Sequence, residues 1–537
     1  MSGPRNLVLV GFMGSGKTTV GKTLSETLAL PFADSDAIIA QRAGMSIPEI
    51  FALKGEAFFR SLEAAVVQEL AQGSGWVIAT GGGAVGNPAS LQALLTGNYA
   101  VWLHAPLACL VERATAEGKR PLLAGGQALQ RAESLLMQRS PLYAQAHLVV
   151  RADQDVKRIC RVIASAWQRA KETERKMERV RVGLGRHSYD ITIGSGLLEQ
   201  LPQMLNMKPG RTLVVSDNHV AQLYGERLLQ ALQKAGWEPT LHTFVAGEAA
   251  KNLQTLEQIY AACAEARLER SSPIFALGGG VVGDVAGFAA ATYLRGIPFI
   301  QVPTTLLAQV DSSVGGKVAV NLPMGKNLAG AFYQPRAVYA DVGLLSSLPL
   351  RELRSGLAEV IKHGFIADPA LYSFVAEHLE DILSYDAEAL TVCVSRSCDI
   401  KRGVVEQDEK ESGLRESLNF GHTVAHAVEV VSGYGAYTHG EAVAIGMVTA
   451  AYLSQPLGLP PAAVDHLIQV LSKAGLPVSA PDLSISDLLA VMRHDKKVRD
   501  GQVRFVLSPA VGQVTTGMAV DMAQVRAALE RQHGGGG

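Results

Sequence analysis

The sequence predicts an α/β protein of three units in series: a P-loop domain on a parallel sheet, a second α/β domain, and a mainly helical domain. Three stretches predict this. GFMGSGKTT, from Gly11 to Thr19, follows a short Val/Leu run and opens a helical pattern. ALGGGVVGD, from Ala276 to Asp284, places glycines at the end of an apolar strand, between helical patterns such as 220–235 and 252–266. The stretch from Arg415 to Glu441 packs three histidines into a glycine-broken helical run. A chain of 537 residues also exceeds the size at which one core keeps growing.

Composition narrows the function classes. With 48% hydrophobic and 18% charged residues and a net charge of −1, the chain is an ordinary globular one, which argues against general binding of nucleic acid or anionic membrane. Anionic ligands must be met by local groups. Cys109, Cys160, Cys263, Cys393 and Cys398 show no CxxC spacing, which fits reduced thiols and a cytoplasmic location. The apolar run near the start is too short for a signal peptide or membrane span.

In the first unit, Gly11, Gly14 and Gly16 let backbone N–H groups face phosphates. Lys17 reaches the outer oxygens, and the Thr18 hydroxyl is placed to ligate Mg²⁺ at a helix start, with Ser15 and Thr19 beside it. FADSD then sets Asp34 and Asp36 two apart at a strand end, TGGGAV supplies Gly82, and Arg60, Arg120 and Arg139 are candidate anion contacts. Together these residues resemble shikimate kinase from about Leu7 to Trp167. The resemblance implies ATP with Mg²⁺ as cofactor and Asp34 near the metal and the reacting hydroxyl. It also implies shikimate held by Asp36, Arg60, Gly82 and Arg139, Arg113 against adenine, and Arg120 on a lid over 117–126.

Short strands 212–217 and 273–277 make the second unit α/β with a parallel sheet. Gly278–Gly280 with Gly283 is not GxGxxG, but it can serve the same purpose at a helix start. Asp217, at a strand end, suits ribose hydroxyls. A polar, glycine-rich stretch follows with Thr304, Thr305, Asp311, Lys317, Lys326 and Asn327. In the third unit His422 and His426 share one helix face, His439 lies beyond a turn, and Glu359, in an apolar helical run, is the best carboxylate to complete a three-ligand site. Which histidines bind metal stays open on spacing alone.

The ordered set resembles 3-dehydroquinate synthase across about 177–530, and Met177 opens a stretch like the start of a free-standing member, suggesting a fusion. The resemblance implies NAD⁺ lined by Asp217, Glu248, Lys251, Gly279, Gly280, Val281, Asp284, Thr304 and Thr305, with Lys317 and Lys326 near it. It implies Zn²⁺ or Co²⁺ on Glu359, His422 and His439. The substrate phosphate would meet Arg295, Lys317, Asn327, Arg415, His426 and one of Lys496 or Lys497. The carboxylate and hydroxyls would meet Asp311, Lys326, Lys362, Lys401, Glu411 and Asn419. Ser347 and Ala425 stand where the family usually has Thr and Gly.

The expected organisation is 1–172 as the shikimate kinase-like P-loop domain, 173–180 as linker, 181–345 as the NAD-binding α/β domain and 346–537 as the helical metal domain. The expected function is bifunctional: phosphorylation of shikimate, and conversion of 3-deoxy-D-arabino-heptulosonate 7-phosphate to 3-dehydroquinate with phosphate release. Asp34, Arg120, Lys317, Lys362, Lys401, Arg415, Asn419 and His426 carry the catalysis, and a homodimer through the second half is expected. The alternatives are a related sugar-phosphate cyclase in the second half, or one half serving as an inactive regulatory module.

Overall fold

The computed structural model describes residues 4–116, 128–171, 177–411, 413–433, 435–494, 498–499 and 502–534. Arg120, the expected lid over 117–126, Lys496 and Lys497 therefore lie outside the described residues. Strands β1 (Leu7–Val10), β2 (Phe32–Asp34), β3 (Val77–Ala79), β4 (Tyr99–His104) and β5 (Leu148–Arg151) form one parallel sheet in the order β2-β3-β1-β4-β5. All residues of β1 and β3 are buried, because helices cover both faces, which is why these strands read as unbroken apolar runs.

The second sheet contains β6 (Glu178–Val182), β7 (Tyr189–Gly194), β8 (Arg211–Asp217), β9 (Glu238–Phe244), β10 (Ile274–Gly278) and β11 (Phe299–Pro303). After the hairpin β12 (Lys317–Leu322) and β13 (Gly325–Phe332), β14 (Ala337–Asp341) completes it. The order is β6-β7-β14-β11-β10-β8-β9, with only β6 antiparallel to its neighbour. The expected linker over 173–180 is corrected here, since β6 already starts at Glu178. Val180 and Val182 are buried while Arg179 and Arg181 are exposed, an alternation that makes a sheet edge rather than a tether. The polar stretch after β11 is likewise more ordered than a loop. Val318 and Val320 face the core and Lys317 faces out, so it pairs as a hairpin.

The third unit is mainly helical, with helices Leu350–Ala367, Ala387–Gln407, His422–Val431 and His439–Ser454, and a small antiparallel sheet of β15 (Val498–Arg499), β16 (Gln502–Ala510) and β17 (Gln513–Ala519). One hydrophobic cluster runs from Val149 and Trp167 of the first unit through Tyr224 and Leu344 into the helical unit. Among the described residues, no helix is long and apolar enough to cross a membrane.

Candidate active sites

The first cluster lies at the carboxyl ends of β1, β2 and β3, where a parallel sheet offers a crevice. Gly14 and Gly16 take φ of 78° and 83°, and a Cβ on Gly14 would run into Leu110 O, so the loop is built for glycine. Lys17 Nζ donates to the carbonyls of Gly11 at 2.8 Å and Phe12 at 2.9 Å, beside buried Ser15. Thr18 and Thr19 are exposed at the helix start, where amides can meet phosphate. The Thr18 hydroxyl donates to Asp34 Oδ2 at 2.8 Å. Asp34 also caps the next helix, accepting from the amide of Asp36 at 3.0 Å.

Around this loop, Gly82 O accepts from Arg139 Nη1 at 3.0 Å and from the Tyr143 hydroxyl at 2.5 Å. Gly81 abuts Asp36 and Gly83 abuts Arg60. Asp36, Arg60, Gly82 and Arg139 thus come together. Arg113 is nearby on its own helix, donating to Ala152 O at 2.7 Å. Sequence reasoning missed Glu63, which binds Arg60 at 2.7 Å while 4% exposed; its position three residues on was the available signal. Burial pushes its carboxyl up, with Arg60 opposing.

The second cluster spans the carboxyl ends of β8, β10 and β11. Asp217 ends β8 and accepts from the amides of His219 and Val220 at 3.0 and 2.9 Å. Helix Gly280–Thr292 starts directly after β10, so Gly279, Gly280 and half-buried Val281 stand at its amino end. Thr305 lies against Gly279, and the Thr304 hydroxyl is buried with no hydrogen-bond partner among the described residues. A glycine cradle at a helix start with a spare hydroxyl fits a dinucleotide. Lys251 Nζ pairs with Asp284 at 2.5 Å, and burial raises the Asp284 carboxyl to about 6 despite that partner. Glu248 accepts from Asn321 at 2.8 Å on the hairpin. Asn321 also accepts from the Asn327 amide, and Lys326 is exposed beside it. Arg295 is exposed in a left-handed turn after the helix.

The third cluster is the best-defined. A capping box of Thr438 and Glu441 starts a helix at His439. Gly440 then presses on Ser355 so closely that a Cβ would overlap Ser355 O, which brings His439 to the helix carrying Glu359. Glu359 is fully buried, and its Oε1 lies 3.8 Å from His422 Nε2 and 3.7 Å from His439 Nε2. His422 Nδ1 donates to Phe420 O at 3.3 Å and His439 Nδ1 to Glu429 Oε1 at 3.2 Å. With both Nδ1 atoms donating, both Nε2 lone pairs aim at one point, where Glu359 Oε1 has no hydrogen-bond partner among the described residues. Two imidazoles and a carboxylate fit a divalent cation and leave a further position open. His426, exposed one turn further along the helix from His422, is not in this set.

Charged groups surround that point. Lys362 Nζ donates to Glu359 Oε2 at 2.5 Å. Burial pushes the Glu359 carboxyl up, but Lys362 and the two imidazoles outweigh it and hold it well below the usual range. Lys401 is ion-paired with Asp311. Arg415, 3% exposed, donates to Gly315 O at 3.2 Å, and Lys317 pairs with Glu411 at 2.7 Å. Asn419 ends the turn that leads to His422. Sequence reasoning missed two residues. Glu429 is seven after His422, two turns along the same helix. His363 is fully buried near Asp311 and Glu359, and burial beside Lys362 holds its imidazole down at about 4.

Fold and sites together define a P-loop phosphotransferase joined to an α/β enzyme built around a two-histidine, one-carboxylate centre. Residues 13–168 match the family model for shikimate kinase, 241–355 that for the amino-terminal part of 3-dehydroquinate synthase, and 356–498 that for its carboxyl-terminal part. The chain belongs to the 3-dehydroquinate synthase family, carries a shikimate kinase fused ahead of it, and is a bifunctional enzyme of the shikimate pathway.

The 3-dehydroquinate synthase of Syntrophotalea carbinolica is 50% identical over 343 residues, covering 63% of this chain and 94% of its own. That of Desulforamulus reducens is 47% identical over 359 residues, covering 66% and 100%. Among solved structures, a 2-deoxy-scyllo-inosose synthase complexed with carbaglucose-6-phosphate, NAD⁺ and Co²⁺ is 27% identical with a TM-score of 0.61, covering 66% of this chain and 99% of its own. A 2-epi-5-epi-valiolone synthase from Streptomyces hygroscopicus with NAD⁺ and Zn²⁺ bound is 29% identical with a TM-score of 0.60, covering 64% and 96%.

Proposed function

We propose that the P-loop cluster takes ATP with Mg²⁺ and phosphorylates shikimate to shikimate 3-phosphate. The second and third clusters together take NAD⁺, a Zn²⁺ or Co²⁺ ion and 3-deoxy-D-arabino-heptulosonate 7-phosphate, and yield 3-dehydroquinate and phosphate. The observation that carries the second assignment is the convergence of His422 Nε2 and His439 Nε2 on Glu359 Oε1, which accepts no hydrogen bond among the described residues.

In the kinase half, Lys17 would hold the outer phosphate oxygens of ATP, Thr18 would help hold Mg²⁺, and Asp34 would orient the reacting hydroxyl. Arg60, Asp36 and Arg139 hold the acceptor through its hydroxyls and carboxylate. Phosphoryl transfer needs little beyond such positioning and cationic stabilisation. In the synthase half, Lys362, Lys401 and Asn419 hold the carboxylate and hydroxyls, and Arg415, Lys317 and His426 face the phosphate as charge grows on it. When bound, NAD⁺ supplies reversible oxidation of one substrate alcohol, and the divalent ion supplies Lewis-acid polarisation of it.

Identity near one half to synthases, against 27–29% to the cyclases of other carbocycles, favours this substrate over a different sugar phosphate. A homodimer and a cytoplasmic location complete the proposal. The test uses separate turnover assays of Lys17→Ala and His422→Ala. Each should remove one activity and spare the other, and failure of the seven-carbon substrate to release phosphate in the wild type would sink the synthase assignment. Metal analysis of purified protein decides between zinc and cobalt.

A further inference from the structure

Both helices that carry buried lysines of the synthase site begin at the face on which the kinase half is seated. Helix Ala387–Gln407 holds Lys401 near its end, and its amino cap is Asp386, whose Oδ1 accepts from the amides of Glu388 and Ala389. The other oxygen, Oδ2, accepts from the Ser165 hydroxyl at 2.7 Å and from Arg169 at 3.4 Å, both on the last helix of the kinase half. One residue earlier, buried Tyr385 holds a left-handed φ of 60°; its hydroxyl donates to Leu348 O at 2.8 Å and accepts from Gln154 of the kinase half at 3.2 Å. Leu348 leads into helix Leu350–Ala367, which carries Glu359 and Lys362. Just before it, the buried Ser346 hydroxyl donates to Val149 O on β5, the edge strand of the kinase sheet.

We propose that the kinase half is a structural component of the synthase site: its seam holds the starts of both helices, Ser165 is a positioning residue for Lys401 through Asp386, and the two halves unfold as one unit. Ordinary interdomain contacts are polar and permit relative motion. Here the polar contacts sit on a continuous apolar cluster, and a non-glycine residue is held in a costly conformation at the join. A shift at a helix start carries along its rigid axis to the far end, and a misplacement near 1 Å is enough to slow catalysis.

The experiment uses the full chain. Calorimetry should show a single unfolding transition that moves upward as a whole when shikimate and ADP are added; two transitions of which only one moves would overturn the proposal. Ser165→Asp sets a second carboxylate against Asp386. It should lower synthase kcat about tenfold at full metal content, spare kinase turnover, and be rescued by Ser165→Thr. An unchanged synthase kcat in Ser165→Asp would equally overturn it, and the ligand-shift measurement on wild type stands if that variant fails to fold.

Discussion

Glu429 accepts a hydrogen bond from His439 Nδ1 at 3.2 Å, and this contact fixes which nitrogen of His439 faces Glu359. A carboxylate behind a ligating imidazole sets its tautomer and raises its basicity. Glu429→Gln should therefore lower metal affinity by about 10- to 100-fold while leaving kinase turnover intact. Titration against a chromophoric chelator would measure it, and unchanged affinity would show that His439 is oriented without Glu429.

The three histidines should separate cleanly in metal analysis. His422→Ala removes a nitrogen that faces Glu359 Oε1 at 3.8 Å, so bound metal should be lost. His426→Ala, an exposed position outside that set, should keep full metal content and lose only the rate of phosphate release. Loss of metal from His426→Ala would reverse the assignment.

Gly315 is held at φ 97°, and a Cβ there would overlap the Arg415 guanidinium. Gly315→Ala combines backbone strain with displacement of a buried cation. Synthase activity should fall at least tenfold, since about 1.4 kcal/mol of lost positioning is enough, and kinase activity should not change. Parallel assays of the two reactions on one preparation check this.

At the seam, burial pushes the Asp386 carboxyl up, but the Ala389 amide, the Ser165 hydroxyl and Arg169 outweigh it and leave it lowered. A carboxyl depressed in the folded state stabilises above its unfolded value near 3.8 and loses that contribution as pH falls through the lower folded value. Asp386→Asn keeps a helix-capping side chain and loses the charge. It should cost about 1 kcal/mol near neutral pH and progressively less in acid. Denaturant unfolding at several pH values measures the difference; a cost independent of pH would remove the charge from the account.

By itself the sequence determined the local chemistry of this protein. GFMGSGKTT between a strand and a helix specifies a phosphate loop, because only glycine admits its φ values and only an adjacent helix start supplies its amides. The short apolar strands 212–217 and 273–277, separated by helical patterns, likewise specify a parallel α/β unit. The same reasoning lost the start of β6, where a charged run hid a two-residue alternation, and Glu63 and Glu429, whose meaning lies in partners a turn or more away. Tertiary structure decided the rest. That His439 and not His426 meets Glu359 depends on Gly440 seating against Ser355, 85 residues earlier in the chain. The kinase half's hold on Asp386, 221 residues from Ser165, is fixed by packing of the two halves onto one continuous apolar cluster, which no local spacing encodes.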